Sequence, residues 1–394
     1  MYAKEEDAMK KRARLWSILL VSAMTVSMLA GCGGGEEKKN DAPMPEVEVD
    51  PDAKVELNGE EMSLADLVSK AQEEGDIQSV GMPDDWANWK GSWEGINTTY
   101  GLTHGDVDMT SAEELSQFAA EKDDPTKDIG DIGLSMTPEA IKQDVIGSFK
   151  ASTWDQFPDW AKDPEGRWVM TYTGSLAFIA NTEFTDGKCP ASWEEVKDGD
   201  YLVSVGNVLA GAASQVAVLS CAIANGGSLD DVQPGIDYFK ELAEAGRLDT
   251  GDTSSARLAS GEMVCCVGNY DYSVLSWRDN IVAENPDMKL DITIPYDGSV
   301  TNGYAQIINK YAPHANAAGL AIEYLCSDEG AIDRAKGYAR PTKEGVELPE
   351  EVADILLSDD LYENCTNISD VESLNSACTK IAELWEREVL PLVQ

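Results

Sequence analysis

Residues 63–93 read SLADLVSKAQEEGDIQSVGMPDDWANWKGSW, and their order of signals sets the fold class. Leu64, Leu67, Val68 and Ala71 fall at the i, i+3, i+4, i+7 positions of a helix, with Ser63 as its cap and Gly75 as its stop. Asp76 to Gly81 then reads as a short strand, and the chain leaves it through Asp84, Asp85 and Trp86. Trp89 and Trp93 follow on one face of a second helix, where packing onto the domain is the plain expectation. Asp84 and Asp85 are open to two readings: they cap that helix, or they sit at a strand's end facing a ligand.

Helix and strand go on alternating downstream. SAEELSQFAAEK (111–122) reads as a helix and Ile129 to Gly133 as a strand; WVMTYTGSLAFIAN (168–181) suits a long strand running out of one domain. The pattern restarts between Cys189 and Asn285, with a strand at Tyr201 to Val205 and a glycine-rich turn, GNVLAGAAS (206–214). An apolar helix and the strand GEMVCCVG (261–268) follow. The chain returns through LDITIPYDGSVTNGYAQIIN (290–309), and the last hundred or so residues are mostly helical. The expectation is an α/β protein of two lobes with a hinge where the chain crosses between them.

At the N-terminus, a basic stretch from Lys10 to Arg14 precedes an apolar run, Leu15 to Met28, that ends in Leu29-Ala30-Gly31-Cys32. Such a run is a secretion signal, too short to span a bilayer comfortably. Its ending resembles the lipobox of bacterial lipoproteins, which implies lipidation of Cys32 after removal of residues 1–31 and anchoring to the outer face of the cell membrane. Residues 32–55 are glycine-rich, then acidic, and read as a flexible tether.

The 72 acidic residues against 30 basic ones repel phosphate backbones, so nucleic acid is excluded as a partner. Only two histidines exist, His104 and His314, without metal-ligand spacing. There is no G-x-S-x-G elbow, Walker sequence or dinucleotide-binding fingerprint. An enzyme, a metal site and a cofactor are therefore not expected. Cys221, Cys265, Cys266 and Cys326 sit in apolar runs as small hydrophobes, with a bridge from Cys365 to Cys378 left as an alternative.

Several segments together resemble the solute-binding proteins of ABC importers, in the branch of polyamine, ferric-ion and aminoethylphosphonate receptors. They are AQEEGDIQSVGMPDDWANW (71–89), YGLTHGDVDMTSAEELSQFAAEK (100–122), and APHANAAGLAIEYLCSDEG (312–330) followed by Gly337-Tyr338-Ala339-Arg340-Pro341. The resemblance implies a type II periplasmic-binding-protein fold, hinged by two or three crossings. Residues 56–173 and 292–394 would form one lobe and 174–291 the other. It also implies a monomer that captures a small solute between the lobes and hands it to a membrane permease.

In such folds the ligand meets loops at strand C-termini. That logic selects Asp84, Asp85, Trp86 and Ser135 from the first lobe, and Ser214, Tyr270 and Asp271 from the second. Tyr172, Asn302 and Tyr304 would lie near the hinge. Asp271, read as a loop residue between two tyrosines, is the foremost charged contact. Aromatic walls with carboxylates suit an organic cation such as a polyamine. The GNVLAGAAS turn, opening a helix with Ser214, suits an anion such as a phosphonate instead. The chain lacks the adjacent tyrosines of the ferric branch, leaving a ferric chelate rather than bare iron as the third alternative.

Overall fold

The computed structural model describes residues 44–393. The signal segment, Cys32 and the first part of the tether lie outside the described residues. From Met44 onward the chain lies against the protein: Gln72 donates to the carbonyl of Pro45 at 3.0 Å. The strand Lys54–Leu57 pairs antiparallel with Glu60–Ser63 and with Phe149–Lys150. Two further sheets carry the architecture.

The smaller sheet has the order Tyr304–Ile308, Ile129–Gly133, Asp76–Val80, Thr103–Val107. Its last three strands are parallel, and the first runs antiparallel to them. The opening stretch folds as its pattern predicts. Ser63 accepts from the Asp66 amide at 3.1 Å, and Gly75 takes a left-handed φ of 75° that a side chain would strain. Leu64, Leu67, Val68 and Ala71 are the buried stripe between these ends. The next helix, Trp89–Tyr100, is capped by Asn88, whose side chain accepts from the Gly91 amide; Asp84 and Asp85 stay exposed. Trp89 and Trp93 are buried and stacked 5.6 Å apart, and Trp93 also stacks on His104 at 3.7 Å.

The larger sheet is organised on Tyr172–Asn181, all ten residues of which are buried. A strand covered on both faces is expected to read as a near-continuous apolar run, as SLAFIA does. Cys265–Tyr270, Leu290–Thr293, Ser299–Asn302 and Arg340–Pro341 all pair with it. Val203–Ser204 and Leu248–Asp249 continue outward from Cys265–Tyr270, and Cys365–Asn367 flanks Ser299–Asn302. The chain therefore passes from small sheet to large at Tyr172. It returns at Gly303, with Asn302 ending one strand and Tyr304 starting another. A third passage leads from the helices Ala315–Leu325 and Asp328–Lys336 to Arg340–Pro341. The strand expected from Trp168 is shorter: Trp168 to Thr171 lie outside it, with Val169 forming isolated bridges to Lys162 and Gln306.

Cys189, Cys221, Cys265, Cys266, Cys326, Cys365 and Cys378 are all free, Cys365 and Cys378 included, and all but Cys365 are buried.

Candidate functional site

Trp86 is the hub of a group of aromatic rings lying between the two sheets. Its indole meets Tyr272 edge-on at 5.4 Å and Tyr304 at 5.5 Å. Its Nε1 donates to Tyr172 Oη at 3.2 Å. Each ring comes from a different element. Trp86 leaves the small sheet after Asp76–Val80, and Tyr172 and Tyr304 stand at the two crossings. Tyr270 ends a strand of the large sheet, and Tyr272 lies in the first turn of helix Asp271–Glu284. Tyr270 and Tyr272 stack at 5.7 Å. Gly174 makes room for this stack, because a Cβ there would lie 2.4 Å from the Tyr272 ring. The buried Tyr272 Oη and Asn302 Oδ1 have no hydrogen-bond partner, and an orphaned buried polar atom calls for a ligand or water.

Behind the rings sits Asp131, in the middle of the fully buried strand IGDIG. Tyr172 Oη donates to one of its oxygens at 2.6 Å and Gln306 Nε2 to the other at 2.6 Å. Burial pushes the carboxyl up to about 7, against these two hydrogen bonds and the charge of Arg334. Arg334 is itself fully buried, with its guanidinium 3.7 Å over Trp89 and two donations to Ser92 Oγ. Burial lowers it to about 10.

More carboxylates gather on the first-lobe side. Burial, with Asp131 next, holds Glu114 well above the ordinary carboxylate range; one of its oxygens accepts from the Asp131 amide at 3.2 Å. Asp108 is also raised, first by burial and then by its neighbours Asp106 and Asp85. Asp106 is fixed by the Ser79 hydroxyl and the Met82 amide. The carboxylates of Asp131, Glu114 and Asp108 act on Tyr304 in turn, after burial, to raise its phenol. Among the described residues, no group of three or more His, Cys, Asp or Glu is arranged to hold a metal ion.

The residues expected to meet a ligand are thus dispersed. Trp86, Tyr172, Tyr270 and Tyr304 come together with Asn302 beside Tyr270, while Asp85 is exposed, near Asp108. Asp84 is exposed beside it. Asp271 lies in the first turn of a helix rather than in a loop. Its oxygens are taken by the amides of Ser175 and Tyr272 and by Tyr362 Oη, and burial raises it to about 6. Ser135 sits in the turn after Ile129–Gly133, where its carbonyl accepts from Asn375 at 2.7 Å. Ser214 is buried in the first turn of helix Ala212–Ala224, packed under Gly206. This helix begins opposite the small sheet: a Cβ on Gly133 would lie 3.3 Å from that of Ala212.

Asp131, Glu114, Gln306 and Arg334 were not among the expected residues. One signal was present: an acid inside a short apolar strand is rarely left buried without a purpose. Arg334, in the charged helix DEGAIDRAK, carries no such mark.

Residues 124–362 match the family model of a bacterial extracellular solute-binding protein. Among solved structures, the chain resembles the periplasmic binding protein AfuA from Actinobacillus pleuropneumoniae, which has fructose-6-phosphate bound. The TM-score is 0.65 at 17% identity, covering 79% of this chain and 98% of that one. It resembles apo ferric ion-binding protein A from Pasteurella haemolytica with a TM-score of 0.62 at 14% identity, covering 79% and 97%. The Atu4243 GABA receptor gives 0.60 at 15% identity, covering 79% and 96%. No curated protein matches the chain. The structural likenesses show the two-lobed type II periplasmic-binding-protein fold expected from the sequence. With the family model spanning more than half of its length, the chain belongs to the bacterial extracellular solute-binding proteins.

Proposed function

We propose that the chain is the substrate-binding component of an ABC importer and that its solute is an organic cation, a polyamine or another amine. The observation that carries this reading is the set of acids around one aromatic group: Asp85, Asp106, Asp108, Glu114 and Asp131 beside Trp86, Tyr272 and Tyr304. Ring faces attract an ammonium group, and a carboxylate neutralises its charge where water is excluded. Ligand contacts from both sides favour the closed form, which is what a permease would recognise. The protein does no chemistry on the solute.

We place the closing motion between residues 56–173 with 292–394 and residues 174–291, with one adjustment. Leu290–Thr293, Ser299–Asn302, Arg340–Pro341 and Cys365–Asn367 are all hydrogen-bonded into the larger sheet and move with it. Cys32 is the lipid anchor, holding a monomer at the outer face of the membrane; Cys32→Ser should release the protein into the medium.

A specific observation favours a second reading. Helix Ala212–Ala224 starts without a side-chain cap, facing the small sheet, and its free amides with Ser214 suit a phosphonate or a ferric chelate. A melting-temperature screen of amines against phosphonates and ferric citrate separates the two. A ligand that binds only the folded state raises the melting point with the logarithm of its concentration. Stabilisation by phosphonates alone would overturn the cation reading.

A further inference from the structure

The structure assigns a second binding pocket to this protein, on the back of the hinge, for a small organic anion of the carboxylate or phosphate type. Side chains alternate across a strand. On Tyr172–Asn181, Tyr172 and Gly174 face Trp86, Tyr270 and Tyr272. Thr173 and Ser175 therefore face the other way, and there they line a cavity of about 410 Å³. Thr301, from the return strand, completes this wall, its hydroxyl 2.6 Å from that of Ser175. Arg340, beside Thr173 on the paired strand Arg340–Pro341, and Lys343 and Tyr362 from the chain that follows line the rest.

Two features mark the cavity as an anion site. None of its lining residues is acidic, in a chain with 72 acids and 30 bases, while Arg340 and Lys343 both reach it. The partners of these cations stand outside the wall: Arg340 Nη1 donates to the exposed Asp359, and Lys343 pairs with Asp328. The nearest buried acid, Asp271, already has its oxygens occupied by Ser175, Tyr272 and Tyr362. In addition, Arg340 Nε is buried without a partner while its guanidinium stacks 4.1 Å over Tyr362. A fixed, stacked guanidinium with a spare N–H is the donor that carboxylate and phosphate oxygens match best. The threonine and serine hydroxyls supply further donors, and the volume suits a molecule of a few to a dozen heavy atoms.

An occupant would touch Thr173 and Ser175 on the outgoing crossing and Thr301 on the return.

The test is calorimetric titration of the intact protein with succinate and with inorganic phosphate, at constant ionic strength against chloride. Saturable binding of one anion per chain is expected, by succinate if the pocket takes carboxylates and by phosphate if it takes phosphates. Arg340→Gln should weaken it by about tenfold or more. Should Arg340→Gln fail to fold, Thr301→Leu fills the cavity with apolar volume without touching the guanidinium and should abolish binding. Trp86→Ala, on the other face of the hinge, should leave it intact. No saturable binding of either anion at millimolar concentration overturns the assignment. So does binding that survives Thr301→Leu, or binding that Trp86→Ala removes, which would place the anion in the main cleft.

Discussion

If the solute is a cation, its binding must compete with the proton on Asp131, and the direction of that competition separates the two readings of the cleft. Burial places Asp131 at about 7, where a free aspartate stands at 3.8. Below that pH the group is mostly protonated and offers no charge to an ammonium, so binding must first remove the proton. Affinity should fall about tenfold for each pH step below about 7, reaching a hundredfold loss, or about 2.7 kcal/mol, near pH 5. Above neutrality it should level off. Glu114 titrates with Asp131 across the same carboxylate pair, so the slope belongs to both groups.

Calorimetry with spermidine in buffers of differing ionisation enthalpy should show release of about one proton per ligand on the acidic side. In Asp131→Asn the profile should flatten and the proton release should shrink. An affinity independent of pH between about 5 and 8 would refute the reasoning, and one that rises as pH falls would favour an anionic solute. Stability runs in the opposite direction. A carboxyl raised in the folded state favours folding below its unfolded value, and that contribution is lost as pH rises towards about 7. The difference is on the order of 4 kcal/mol, so Asp131→Asn in the absence of ligand should melt above the parent protein at pH about 8.

Further outcomes follow from the packing. Trp93→Ala should cost about 3 to 5 kcal/mol in denaturant unfolding, because the ring is buried between Trp89 and His104, whereas Trp86→Ala should weaken ligand binding with little loss of stability. A similar loss of stability in both variants would contradict the division of roles between them. Burial lowers His104 to about 4, below its ordinary 6.5, so the stability it confers is full above about 6.5 and is lost as the pH falls towards about 4. His104→Gln should reduce the slope of the acid-unfolding curve in that window. Of the cysteines in the described residues, only Cys365 should react with a thiol reagent in the native protein, the other six being buried. Gly133→Val should hold the lobes apart, since its side chain would meet Ala212; scattering should show a more open particle and ligand affinity should drop.

Local physics accounts for what could be read without the fold. The cap at Ser63, the buried stripe behind it and the stop at Gly75 involve residues within a dozen positions of one another, and a strand ending before Trp86 puts that ring at a sheet's edge in any α/β arrangement. The same locality explains why Trp93 is core. The choice among carboxylates was not local. Asp271 and Asp131 are the same residue type, but Asp271 is turned towards Tyr362, 91 residues away. Asp131 is oriented by Tyr172 and by Gln306, 175 residues away. A carboxylate's role depends on which donors surround it and how much water is left, and those neighbours are set by how the sheets come together. The cap of the second helix fell to Asn88 rather than to the acids before it, because the chain turns through a left-handed residue there. The sequence alone determined the α/β class, the two lobes and the family. The tertiary structure decided which acid faces the rings, and placed on the reverse of the same strand a cavity that no short stretch of sequence announces, because its walls come from the two crossing strands and a segment more than 160 residues further on.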